Sequence, residues 1–248
     1  MIAEGAGPLV VLLPSRGRDS EDYDEVASGI AKSGYRVLRP QPRGTCRSAG
    51  PMTGITLHDL ARDVAAVIAH AGGVPAVVAG HAFGNWVARM TAADHPRLVR
   101  GVAILAAASK SYPGFAGAQR LVDAVKKAGD PALAEAGRLK YLRAAFFAPG
   151  HDASAWLKGW YPEVNESQFA AGRATRQEEW WGAGTAPLLD LQAALDPFKP
   201  RETTNELKEE FGERVTIAII PDASHALIPE QPAAVVTAMV GWMRKLPP

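Results

Sequence analysis

One cysteine, Cys46, stands alone in 248 residues, so no disulfide closes within the chain, and the reading is of a reducing, cytoplasmic setting. Excess charge of either sign is missing too. The 27 basic and 26 acidic residues leave a formal charge of +1, and no basic run is longer than Lys126-Lys127. That balance provides no field to gather nucleic acid or an anionic membrane. No run of about 18 apolar residues predicts a membrane span. The start, Met1-Ile2-Ala3-Glu4-Gly5, lacks the charged-then-apolar pattern of a secretion signal. No phosphate loop ending in Lys-Ser/Thr occurs, and the lone cysteine and scattered histidines do not form a metal cluster. The expected partner is therefore a small molecule, with no cofactor and no metal.

What is present is an alternation of strand and helix patterns. Apolar residues make up 47% of the chain, enough for one large domain with a sizeable core. Leu9 to Leu13 is a continuous apolar run ended by Pro14, the pattern of a strand buried on both faces. Asp22 to Ala31 predicts a helix and Tyr35 to Leu38 a strand. Thr56-Leu57-His58-Asp59 predicts a capped helix start, with Leu57, Leu60, Val64, Val67 and Ile68 at helical spacing. Strands follow at Pro75 to Ala79 and Gly101 to Leu105, around a helix from Asn85 to Ala93. After Ser109 the pattern turns helical and irregular, and 11 of the 18 aromatic residues fall between Lys110 and Thr185. Strand patterns resume at Pro187 to Leu191 and Val215 to Ile220, before a last helix from Gln231 to about Leu246. The expected class is α/β: a mostly parallel sheet flanked by helices. Residues 1–109 and 186–248 form its core, and 110–185 an inserted helical lid.

The most informative absence is one oxygen atom. Gly80-His81-Ala82-Phe83-Gly84 follows a predicted strand and opens a predicted helix, as the nucleophile elbow G-x-S-x-G does. Its central residue is alanine. In that architecture the acid and the histidine follow the nucleophile in chain order, on loops after late strands. Asp196 and His225 occupy such positions, past Pro187 to Leu191 and past Val215 to Ile220. Asp190 and Asp222 are rivals to Asp196, and His225 has five rival histidines. Of these, His58, His70 and His95 are expected in solvent and His81 in support of the turn. Phe146, Trp156, Trp160 and Trp181 fit either the core of the lid or an apolar pocket over the elbow. Arg16 and Arg18 read as surface charge or as a grip on a substrate carboxylate. Ser15 is a candidate hydrogen-bond donor and a weaker candidate nucleophile. Cys46 is a still weaker one, expected to be partly buried.

Taken together, Leu13-Pro14-Ser15-Arg16-Gly17, Pro42-Arg43-Gly44, Gly80 to Asn85, Asp196-Pro197 and Ser224-His225-Ala226 resemble the α/β-hydrolase superfamily over nearly the whole chain. The resemblance implies a lid between the family's sixth and seventh strands. It also implies an oxyanion hole made by the backbone amides of Phe83 and Arg16. The chain departs from the family at Pro14-Ser15, where His-Gly is usual, and at Ala82. Three explanations of Ala82 follow. The chain is a hydrolase of a small apolar or aromatic ester or lactone, with its serine replaced. Or alanine is native and the His225–Asp196 pair activates water or abstracts a proton, as a lyase or cofactor-free enzyme would. Or the chain is a ligand-binding protein without turnover.

Overall fold

The computed structural model describes residues 1–111 and 115–247, the side chains of residues 115, 116 and 118 excepted. Seven strands form one sheet: β1 (Ile2–Glu4), β2 (Leu9–Leu13), β3 (Arg36–Arg39), β4 (Ala76–His81), β5 (Val99–Leu105), β6 (Leu188–Ala193) and β7 (Val215–Ile220). Their spatial order is β1-β3-β2-β4-β5-β6-β7. β1 runs antiparallel to β3 and every other pairing is parallel. β1 was not expected from the sequence. Three residues are too few to show a period, and β1 takes its place by pairing with β3.

The helices are α1 (Asp24–Lys32), α2 (Leu57–His70), α3 (Phe83–Asp94), α4 (Phe115–Ala128), α5 (Glu135–Ala145), α6 (Pro162–Ala174), α7 (Gln177–Trp180), α8 (Glu206–Phe211), α9 (Leu227–Glu230) and α10 (Pro232–Met243). α2 starts as the sequence predicts. The Thr56 amide donates to Asp59 Oδ2 at 2.9 Å, and the hydroxyl of Thr56 reaches the same oxygen at 3.0 Å. β6 extends two residues past the expected Leu191, and α10 stops at Met243.

Because side chains alternate along a strand, each apolar run feeds two cores. Val11, Val78, Ile104 and Leu188 pack with Val64 and Ile68 of α2 and Met90 of α3. Val10, Val77, Ala103 and Leu189 pack on the other face with Ile30 of α1 and Met239 of α10. Helices α4 to α7 all lie in the long connection between β5 and β6, the fifth and sixth of the seven strands. Part of this connection forms a third cluster, in which Leu142, Ala145, Phe146, Phe147 and Trp156 meet Ala226 from the loop after β7. Residues 112–114 of the expected insertion lie outside the described residues. Among the described residues no helix is long and apolar enough to cross a membrane.

Candidate active site

Ala82 joins the end of β4 to the start of α3 with φ 47° and ψ −112°. For a residue with a Cβ this backbone costs roughly 1–3 kcal/mol, so the surroundings must impose it. They do so by close packing. A Cβ on Gly80 would collide with the backbone of Gly84, and one on Gly84 would collide with the carbonyl of Leu13 and come within 2.6 Å of that of Pro14. The strand, the helix start and the end of β2 therefore meet with no room for side chains. The Ala82 amide donates to Leu105 O at 2.9 Å, and its carbonyl accepts from the Asn85 amide at 3.1 Å and from Asn85 Nδ2. The methyl of Ala82 is half-buried at the tip of this turn.

The loops after β6 and β7 bring Asp196 and His225 together. His225 Nδ1 lies 2.9 Å from Asp196 Oδ2 and 3.2 Å from Oδ1, with both side chains buried. A carboxylate accepts, so Nδ1 carries the proton, and Nε2 remains the basic nitrogen. Nε2 has no partner among the described residues. Asp196 Oδ1 also accepts from the Phe198 amide at 2.8 Å, and the Leu195 amide donates to Ala223 O at 2.9 Å, tying the two loops to each other.

Aromatic rings enclose the imidazole: Phe198 at 4.2 Å between centroids, His81 at 5.1 Å and Phe146 at 5.7 Å. His81 Nε2 donates to the carbonyl of His225 at 2.7 Å. Burial, reinforced by His225 and Arg18, pulls the pKa of His81 down to about 3, so it stays neutral near pH 7.

Two supporting residues escaped the sequence. Glu230 is buried and accepts from the Ser224 amide at 2.7 Å and the Ala148 amide at 2.5 Å. It thereby fastens the His225 loop to the β5–β6 connection, as does the Ala226 amide donating to Phe146 O at 2.7 Å. Burial pushes the Glu230 carboxyl up, against the two amides that favour its charged form. Phe198 lies tilted against His225, at 41° between ring planes, because the turn after Asp196 folds back. No local pattern marks either role.

The loop from Ser15 to Arg18 is clamped to the same connection. The Gly17 amide donates to Gln168 Oε1 at 2.7 Å, and Gly17 O accepts from the Tyr161 amide at 2.8 Å. Neither the Phe83 nor the Arg16 amide donates to an acceptor among the described residues. Ser15 is buried in this loop. The two arginines differ sharply. Arg18 is buried, so the surface reading fails for it. It is held by Asp22 at 2.5 and 2.6 Å, by Lys158 O at 2.9 Å, and by the faces of Trp156 and Trp160 at 4.5 and 4.7 Å. With its fork filled, Arg18 has no guanidinium edge left for a substrate. Arg16 has no carboxylate partner among the described residues and lies 5.0 Å over the ring of Phe169. It borders a cavity of about 390 Å³, which Trp160 also lines.

The structure sorts the remaining candidates by place. Phe146 faces His225, and Trp156, fully buried, sets its edge against His81 at 5.7 Å. Trp181 is not brought to this site. Its indole N–H donates to Glu210 Oε2 at 2.7 Å, and Arg89 lies 4.4 Å over its ring in the core beneath α3. Asp190 points into the sheet interior and accepts from Gln192 Nε2 at 2.8 Å, and burial raises its carboxyl. Asp222 is exposed and faces His151 at 3.3 Å. Neither carboxylate bonds His225. His58 is not simply solvated: it bridges Asp94 at 2.7 Å and Glu179 at 3.1 Å. Cys46 is exposed rather than partly buried. Among the described residues no cluster of three or more His, Cys, Asp or Glu is arranged to hold a metal ion.

Comparison with known proteins bears on the fold family. The family model for the alpha/beta hydrolase fold matches residues 8–232. A relative from Variovorax paradoxus (strain S110), RutD, named as a carbamate hydrolase, is 28% identical over 234 residues, 89% of this chain and 85% of its own length. Among solved structures, BpoC of Mycobacterium tuberculosis H37Rv, described as a non-heme bromoperoxidase, superposes with a TM-score of 0.80 at 22% identity, over 100% of this chain and 96% of that one. A thermophilic esterase from Thermogutta terrifontis superposes at 0.77 and 22% identity, over 98% and 92%. At these identities the two structures speak for the fold alone.

Proposed function

Because the chain belongs to the alpha/beta hydrolase fold family, we propose that its site is built for acyl hydrolysis of a small ester or lactone bearing an apolar or aromatic group, with Ala82 at the nucleophile position. The observation that carries this reading is the elbow itself. Ala82 holds a strained φ of 47° at the entry to α3, while a buried, oriented His225–Asp196 pair follows in the expected chain order. With serine at position 82, Nε2 of His225 takes the hydroxyl proton as the oxygen attacks the acyl carbonyl. The developing oxyanion faces the amides of Phe83 and Arg16. Nε2 returns the proton to the leaving group, and water then releases the acyl group. RutD, named for carbamate hydrolysis, is consistent with attack on such a carbonyl. Residues 110–185 act as the lid over this site, and the clamps at Gly17 and Glu230 connect it to the reacting loops.

A second reading concerns the chain as it stands. Nε2 of His225 is basic and unpartnered among the described residues, so it is fit to take a proton from water or from an acidic C–H or O–H group without any serine. One experiment separates the readings: Ala82→Ser and the parent are assayed side by side on aryl and alkyl esters. The acyl-enzyme reading expects a gain of about 100-fold or more in the serine form. No gain, together with parent activity that His225→Ala abolishes, assigns the serine-free reading. Ligand affinity in both forms with turnover in neither marks a binding protein.

A further inference from the structure

We infer that the cavity beside Arg16 is a carboxylate subsite, and that the molecule taken by this site carries a carboxylate at one end and an apolar or aromatic body. The inference rests on the hydrolase reading above, because the same Arg16 supplies the amide assigned to the oxyanion.

The argument begins with what two neighbouring arginines do. Arg18 spends its guanidinium on Asp22, on Lys158 O and on two indole faces. Arg16, two residues earlier, has no ion pair among the described residues, and its Nε is buried without a hydrogen-bond partner. Arg16 is part-buried, and a guanidinium nitrogen taken from water without a partner is unfavourable unless something completes it. Burial lowers its pKa with no carboxylate acting in the opposite direction. Among the described residues its guanidinium lies 5.0 Å over the ring of Phe169, an apolar surface that offers it no acceptor.

The cavity beside it, about 390 Å³, is large enough for a small aromatic acid. Val125, Trp160 and Phe169 supply apolar and aromatic wall. Asn165 adds a buried amide oxygen with no partner, an acceptor for an N–H or O–H on the ligand. The other charged or titratable groups on the wall are Lys126, Asp130, Tyr161 and Glu166. Lys126 and Glu166 are exposed, and water screens them. The Tyr161 hydroxyl is committed to Asp19 Oδ2 at 3.0 Å. Arg16 is thus the cation whose completion by an anion gains most, and its fork matches a carboxylate with two parallel N–H···O bonds.

The test uses the parent chain and two probes of nearly equal shape, phenylacetate and phenylacetamide, titrated by calorimetry. The acid is expected to bind at least about tenfold tighter than the amide, as a charge-assisted pair should give. Arg16→Gln is expected to remove that preference while leaving amide binding unchanged. Lys126→Gln, on an exposed residue, is expected to keep it within about threefold. Equal binding of acid and amide overturns the inference. So does a preference that survives Arg16→Gln, or one that Lys126→Gln abolishes. Absence of heat from the acid up to on the order of 10 mM also overturns it. The parent comparison needs no variant to fold. Turnover plays no part, so failure of Ala82→Ser to hydrolyse esters would sink the acyl reading and leave this result standing.

Discussion

Two groups of aromatic residues come from the same β5–β6 connection and end in different places. Phe146, Trp156 and Trp160 gather in front of the sheet, around Arg18, His81 and His225. Trp180 and Trp181 turn back under α3, where Arg89 lies over both rings and Trp86 stacks on Trp180 at 4.9 Å. Both groups are buried and both engage an arginine, so burial and composition do not tell them apart. They differ in their polar neighbours. The front group borders groups with unused bonding capacity, namely His225 Nε2 and the fork of Arg16. The rear group covers Arg89, whose Nε and Nη2 also lack partners among the described residues but which is fully buried, out of a ligand's reach. A ring's role here follows from what it covers.

The sharpest way to break the comparison is to cut each group and ask what is lost. Trp181→Ala should cost about 3–5 kcal/mol, a fall of roughly 10 °C in Tm, because it empties a core position. Thermal unfolding checks this, and near-wild-type Tm would show that Trp181 is not core. Acid should act through the front group instead. His81 is buried and its pKa is depressed to about 3, so the unfolded chain binds a proton that the folded chain resists as pH falls below about 6.5. Stability should therefore be full near pH 7 and decline from about pH 6.5 downward, and His81→Gln should flatten that decline. Denaturant unfolding across pH 4–7 measures it, and an equal acid slope in the variant would contradict the assignment. The smallest stability effect is expected from Phe146→Leu, about 1–2 kcal/mol, with a loss of ester turnover in the Ala82→Ser background. Trp181→Phe in that background should leave turnover per folded molecule unchanged.

Much of the frame was legible. Leu9 to Leu13 is an apolar run of strand length, Val215 to Ile220 is one broken only by Thr216, and chain order alone placed Asp196 and His225 on successive loops. The glycines at 80 and 84 are readable because close backbone approach excludes every other residue type. What was not legible depends on contacts distant in sequence. Glu230 bonds amides 6 and 82 residues away, and the tryptophans divide according to which helix each packs against. Arg18 had a local signal, Asp22 four residues on, which becomes an ion pair only because the chain turns helical at Ser20–Tyr23. Arg16 has no such neighbour, and its lack of a partner emerges only once the fold is formed.

The central claim is that the turn at Ala82 is a nucleophile elbow served by His225. It is tested most directly by treating Ala82→Ser with a serine-reactive aryl phosphonate and measuring the intact mass and the modified peptide. The account predicts a single adduct on residue 82, absent from the parent and greatly slowed in the Ala82→Ser, His225→Ala double variant. A folded Ala82→Ser chain that forms no adduct, or forms it at the same rate without His225, would contradict it.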